Sequence, residues 1–147
     1  MLKELCAIHA PSGSEANMKD FLLKYIEKNS SKWKVQPTIK HGKEFQDCLI
    51  LEFGKPRTAI FAHMEEEDGE SRVIKTKLII DRIVERGTTL CYKQDYLETD
   101  DYIQSCYLDN RLGIWVALKV AETLENGVIV FSAWEEVGGG SVGYLSK

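Results

Sequence analysis

Residues 128–134 read Val-Ile-Val-Phe-Ser-Ala-Trp and run directly into Glu135-Glu136. So short and so apolar a run suits an interior strand of a sheet covered on both faces. Two adjacent carboxylates placed straight after a buried strand are costly unless cations or protons relieve their repulsion. The run therefore constrains the fold and also marks a place where chemistry can sit. Two companion runs, Cys48-Leu-Ile-Leu-Glu-Phe53 and Arg57-Thr-Ala-Ile-Phe-Ala62, flank a Gly54-Lys-Pro56 turn and read as further interior strands. A less apolar strand is expected over about 33–40.

Helical periods separate these strands. Residues 2–9 form a short helix ended by Ala10-Pro11. Ser12-Gly-Ser-Glu15 matches a capping box, with Ser12 as N-cap and Glu15 reaching back. It opens an amphipathic helix over 13–28 on which Met18, Phe21, Leu22, Tyr25 and Ile26 share a face. The turn Asn29-Ser-Ser31 ends it. From Asn110 to Leu124 the period is helical again, with Leu112, Trp115, Val116, Val120 and Leu124 aligned. Glu125-Asn-Gly127 supplies a left-handed stop. Residues 65–70 form an acidic loop and 95–101 a polar one. Residues 72–80 and 88–93 read as β-rich, although 77–86 is equally compatible with a helix. A new helix is expected to begin near Ser141. Such alternation argues for an α/β fold, a three-layer α/β/α sandwich, with residues 1–147 as a single domain.

Composition removes several function classes. The net charge of −4 and the lack of a basic stripe argue against a nucleic-acid partner. No apolar run reaches the length of a signal-peptide core or a membrane span, so the expected setting is soluble and cytoplasmic. Cys6, Cys48, Cys91 and Cys106 form no C-x-x-C pair and sit among apolar neighbours, as free thiols do in a reducing compartment.

Three short segments carry the chemistry: Ala62-His-Met-Glu65, Leu108-Asp-Asn-Arg111 and Glu135-Glu-Val-Gly138. Alone, each has an ordinary reading. His63 is then a strand-end histidine, Asp109 a helix N-cap and Glu135-Glu136 a solvated strand end. Together they offer an imidazole and carboxylates at strand ends, the donor set for hard or borderline divalent metals. Glu65 projects to the same side as His63 if the extended backbone continues. There it would fix the imidazole tautomer. Asp109 has two oxygens and sits where loops converge, so it suits a bridge between two cations. Arg111 reads as a structural ion-pair partner. The run Gly138–Gly140 has neither dinucleotide-fingerprint nor Walker spacing, which argues against a phosphate loop.

Four motifs in order resemble the zinc-dependent exopeptidases of the M42, M28 and M20 families, with the M42 glutamyl aminopeptidase-like family nearest in wording. Pro11-Ser-Gly-Ser-Glu15 is similar to its P-S-G-x-E turn and Ala62-His-Met64 to its A-H-M-D. Leu108-Asp-Asn-Arg-Leu-Gly113 is similar to its L-D-(D/N)-R-x-G, and Glu135-Glu-Val-Gly138 to its E-E-x-G. The region from about 66 to 105 departs from the pattern. The resemblance implies a zinc-exopeptidase α/β/α sandwich with an incomplete sheet, formed by the N-terminal portion of a catalytic domain. It implies an aminopeptidase acting on peptides through a water activated by two divalent metal ions, zinc first, with cobalt or manganese as alternatives. Residue by residue, His63 would bind one metal, Asp109 would bridge both and Glu136 would bind the other. Glu135 would be the general base, and Glu65 would take the family's Asp position behind the imidazole.

Two departures accompany the resemblance. Glu65 is one methylene longer than the family's Asp, and changes behind a ligand commonly cost roughly 10–100-fold in affinity or activity. The family also draws one further ligand per metal, an Asp and a His, from beyond the Glu-Glu motif. Three readings follow: a metallo-aminopeptidase, a non-catalytic relative acting in binding or assembly, and a half-site completed by another chain or by a second copy in a homo-oligomer. His9, His41 and Asp47 are the local substitute ligands, with no spacing argument behind them.

Overall fold

The computed structural model describes residues 1–55, 58–65 and 96–136. Its centre is a four-stranded sheet. The strands are β1 (Thr38–His41), β2 (Leu49–Phe53), β3 (Ala59–His63) and, much later in the chain, β6 (Gly127–Ser132). Their spatial order is β1-β2-β6-β3, so the last strand lies between two that are neighbours in sequence. β2 runs antiparallel to β1 and to β6, while β3 and β6 are parallel, with Ile60 opposite Ile129 and His63 opposite Ser132. A small antiparallel ribbon, β4 (Tyr96–Glu98) and β5 (Ile103–Ser105), lies apart from this sheet. The expected loop at 95–101 thus contains a strand.

Side-chain alternation divides the sheet into two faces. Leu49, Leu51, Phe53, Ala62, Ile129 and Phe131 join one core with the helices α1 (Leu2–Cys6), α2 (Ala16–Asn29) and α3 (Leu108–Ala121). Met18, Leu22 and Ile26 bring α2 to that core at four-residue intervals, and Ile114, Ala117, Leu118 and Ala121 do the same for α3. Each large apolar side chain buried this way contributes about 1.5–3 kcal/mol. Trp33 stacks on Phe53 with ring centroids 6.3 Å apart and is also part of this core. On the opposite face, Cys48, Ile50 and Val130 form a smaller cluster with Phe45 and Val128.

β2 and β6 are interior strands, as their composition requires. β3 departs from that expectation. Among the described residues it is the sheet edge, and Ala59 and Phe61 are exposed. The first helix is shorter than expected, and the first strand begins only at Thr38, after a 3₁₀ turn at Ser30–Lys32. α2 starts at Ala16 because Pro11 to Ser14 form a turn, closed by the Ser14 N–H donating to the Pro11 carbonyl at 2.8 Å. The capping box does not form: Glu15 is itself the N-cap, and no side chain caps the helix. α3 stops at Ala121, with Glu122 right-handed, before the expected Glu-Asn-Gly stop. The β-rich readings at 72–80 and 88–93, the alternative helix at 77–86 and the helix near Ser141 lie outside the described residues, as does the Gly138–Gly140 run.

Candidate active site

Because β3 and β6 are parallel neighbours, their carboxyl ends emerge side by side. In α/β sheets, that is where ligand crevices form. Pairing continues one residue past β3, where the Met64 N–H donates to the Ser132 carbonyl at 2.9 Å. The chains then part. His63 and Glu65 leave from β3, while Ala133 and Trp134 turn β6 toward Glu135 and Glu136. Trp134 makes that turn at φ 66°.

All the site residues expected from sequence come to this one place. Nε2 of His63 lies 3.1 Å from Asp109 Oδ1 and 3.9 Å from Glu135 Oε2. His63, Glu135 and Glu136 each offer a ligand atom, all within 4.8 Å of one another, and this is the one such grouping among the described residues. His9, His41 and Asp47 stand outside it; Asp47 instead pairs with Lys19 at 3.2 Å. Burial is graded across the site: Glu65 is fully buried, the His63 side chain is 11% exposed and the Asp109 side chain 85%. The other side of the imidazole faces inward, with Nδ1 4.0 Å from Glu65 Oε2. Glu65 therefore projects to the same side as His63. Both of these facing atoms are buried and have no hydrogen-bond partner.

Asp109 does not cap α3. The cap position is Tyr107, with no side-chain cap bond, and Asp109 (φ −86°, ψ 112°) and Asn110 (φ −113°, ψ 36°) lie outside helical geometry. Regular helix begins at Arg111, and the Asp109 carboxylate turns to His63 instead. Gly113 explains its place in the motif. The Asn110 side chain folds onto it so closely that a Cβ there would sit 1.9 Å from Asn110 Oδ1.

Sequence reasoning underrated two residues. Arg111 is fully buried, and its guanidinium donates from Nη1 to the carbonyls of Met64 (2.6 Å) and Glu65 (3.2 Å) and from Nη2 to that of Ile8 (3.0 Å). It ties the end of β3 to α3 and to the segment after α1. The signal was present in the sequence: an arginine in helical register with Ile114, Leu118 and Ala121. Glu15 is the second. Its Oε1 accepts the Gly13 N–H at 2.9 Å and the Trp134 N–H at 3.3 Å, which pins the Pro11–Glu15 turn to the end of β6. Gly13 takes φ +82° there, and a Cβ on it would press the Trp134 indole at 3.3 Å.

A helix-flanked mixed sheet with an imidazole and carboxylates at the carboxyl ends of its parallel pair defines an α/β fold with a donor-rich crevice edge. Two solved structures share the fold. One is described as PhTET1-12s, a dodecamer in its asymmetric unit, at TM-score 0.59 and 20% identity over 93% of this chain and 60% of that one. The other is the aminoacylhistidine dipeptidase from Vibrio alginolyticus, at TM-score 0.55 and 12% identity over 93% of this chain and 27% of that one. The chain thus spans less than two thirds of either. Residues 74–146 match the family model of the M42 glutamyl aminopeptidase. The chain therefore has the fold of the M42 and M20 peptidases and, over that segment, the sequence pattern of the M42 family. The match includes Leu108–Gly113 and Glu135–Gly138, and it starts at residue 74, inside the stretch the motifs had set apart from the family. No curated protein matches the chain in sequence.

Proposed function

We propose that the chain forms the N-terminal portion of the catalytic domain of a metal-dependent aminopeptidase. One observation carries this reading. The His63 Nε2 lies 3.1 Å from the Asp109 carboxylate and 3.9 Å from that of Glu135, while its Nδ1 faces Glu65 at 4.0 Å. One ligand atom each of His63, Glu135 and Glu136 lies within 4.8 Å of the others, a grouping that a divalent cation would draw together. An imidazole nitrogen with carboxylate oxygens is a donor set that zinc, cobalt or manganese accepts. The fold and the M42 match support the same reading.

In this reading His63 and Glu136 would each hold one of two divalent ions, zinc first, and Asp109 would serve both. Glu65 fixes the imidazole from behind. A bound ion supplies a water of lowered pKa and polarises the scissile carbonyl. Glu135 would be the general base that accepts a proton from a water and returns it to the leaving amine, the N-terminal side of a peptide being the substrate. By the resemblance, one further ligand for each ion would come from beyond the Glu-Glu motif. The dodecameric PhTET1-12s supports assembly of this chain with copies of itself. No described helix is long and apolar enough to cross a membrane, which is compatible with a cytoplasmic setting.

Calorimetric titration with Zn²⁺ or Co²⁺ tests the reading. Binding is expected, weakened at least tenfold by His63→Ala and by Asp109→Asn. Glu135→Gln should lower hydrolysis of aminoacyl-p-nitroanilides by about 10²–10⁴-fold, the usual contribution of a general base. A chain that binds neither ion, or binds both equally well without His63, would remove the metallopeptidase reading.

A further inference from the structure

Glu65 is the residue at which the chain departs from the resembled motif, and the structure gives the longer side chain work that an aspartate could not do. Its Oε1 accepts the backbone N–H groups of both Glu135 and Glu136, the latter at 3.2 Å. The carboxylate thus reaches from the end of β3 to the turn after β6, seventy positions on in the chain. Its own backbone is held in turn, because the Glu65 carbonyl accepts from Arg111 Nη1. The side chain is fully buried, although the two residues it holds lie at the surface.

We propose that Glu65 is a positioning residue that anchors the Glu135–Glu136 turn through both backbone amides, and that its extra methylene is what lets one of its oxygens reach that turn while the other faces the His63 imidazole at 4.0 Å. The proposal rests on the metallopeptidase reading only for its consequence; the anchoring itself is a property of the chain. Shortening the arm to aspartate withdraws the carboxylate by roughly one C–C bond, about 1.5 Å. The 3.2 Å contact then passes beyond hydrogen-bond range. Restoring the family's own residue should therefore loosen the site. The two acids would lose the backbone reference that fixes them relative to His63.

Amide hydrogen exchange of the 147-residue chain, read by NMR without metal, tests this. The Glu135 and Glu136 amides should be protected in the wild type. Glu65→Gln keeps the length and an acceptor oxygen and should retain that protection within about threefold. Glu65→Asp should speed exchange at both amides by tenfold or more while Ile129 and Val130 in β6 keep their rates. A merely structural role would instead speed exchange along the whole strand. With Zn²⁺ as the probe, Glu65→Asp should also weaken binding about tenfold. Unprotected amides in the wild type, or protection undiminished in Glu65→Asp, would overturn the proposal. If Glu65→Asp does not fold, Glu65→Gln decides: loss of protection there overturns it equally. Protected amides in a wild-type chain that binds no zinc would sink the metal reading and leave the anchor standing.

Discussion

Arg111 shows how a charged side chain becomes structural when its donors match nearby acceptors. A guanidinium has five N–H groups in a planar fork, and here that fork meets carbonyls on two chain segments that ordinary ladders leave open. Replacing it by methionine keeps bulk but strands those carbonyls in a buried setting. Each stranded group costs about 1–3 kcal/mol, so Arg111→Met should lose roughly 3 kcal/mol or more of unfolding free energy in urea titration. Arg111→Lys should recover only part, because an ammonium cannot fork. The sequence supported an ion-pair role because it shows a charge but not its surroundings. Acids and histidine were legible at this scale: His63, Asp109, Glu135 and Glu136 were chosen by type and position, and they converge. What could not be read was the hand-off between them. Glu15 looked like a helix cap and became a bridge between Gly13 and Trp134. Local pattern names the nearest use of a carboxylate, whereas the fold can bring a distant partner closer.

At the scale of elements, the apolar runs were legible because burial on both faces leaves little choice of residue. β2 and β6 fall within two residues of their expected bounds. Elements whose ends depend on tertiary contacts were less so. The segment after α2 has strand-like composition, but Trp33 leaves the backbone path to stack on Phe53, and β1 begins five residues later. β4 carries a polar sequence that says loop, and pairing with β5 makes it a strand. The start of α3 illustrates the same point. Its second and third residues leave helical geometry, Asp109 facing His63 and the Asn110 side chain settling over Gly113. Gly113→Ala should therefore disturb the site rather than merely strengthen the helix. In a helix interior the change normally gains about 1 kcal/mol. Here the Asn110 amide, the far end of a flexible side chain, must first turn away, so the variant should gain less than that in thermal or urea unfolding.

For the whole molecule, a buried thiol gives stability an alkaline limit. Burial raises the Cys6 thiol above its usual range, against smaller lowering effects from a Ser105 hydrogen bond and the Arg111 charge. The folded state thus holds the proton more tightly than the unfolded chain. The associated stability is complete below the unfolded-chain value, about 8.5, and is lost as pH rises from there through the folded value. Unfolding free energy should fall with pH above about 8.5, and more steeply for the wild type than for Cys6→Ala. Equal slopes in the two proteins would show that other groups govern the decline.

The interposition of β6 between β2 and β3 also governs the order in which the sheet can be made. A ribosome releases β1, β2 and β3 early, and β1 can close on β2 at once. Among the described residues, the neighbour β3 joins is β6, which begins more than sixty residues further along the chain. Long-range parallel pairing of this kind slows folding. Until it happens, the apolar side chains of β2 and β3 are exposed to any hydrophobic surface nearby. The sheet therefore depends on β6, and that same strand delivers Glu135 and Glu136 to His63: joining β2 to β3 and bringing the acids to the imidazole are one event in the life of the polypeptide.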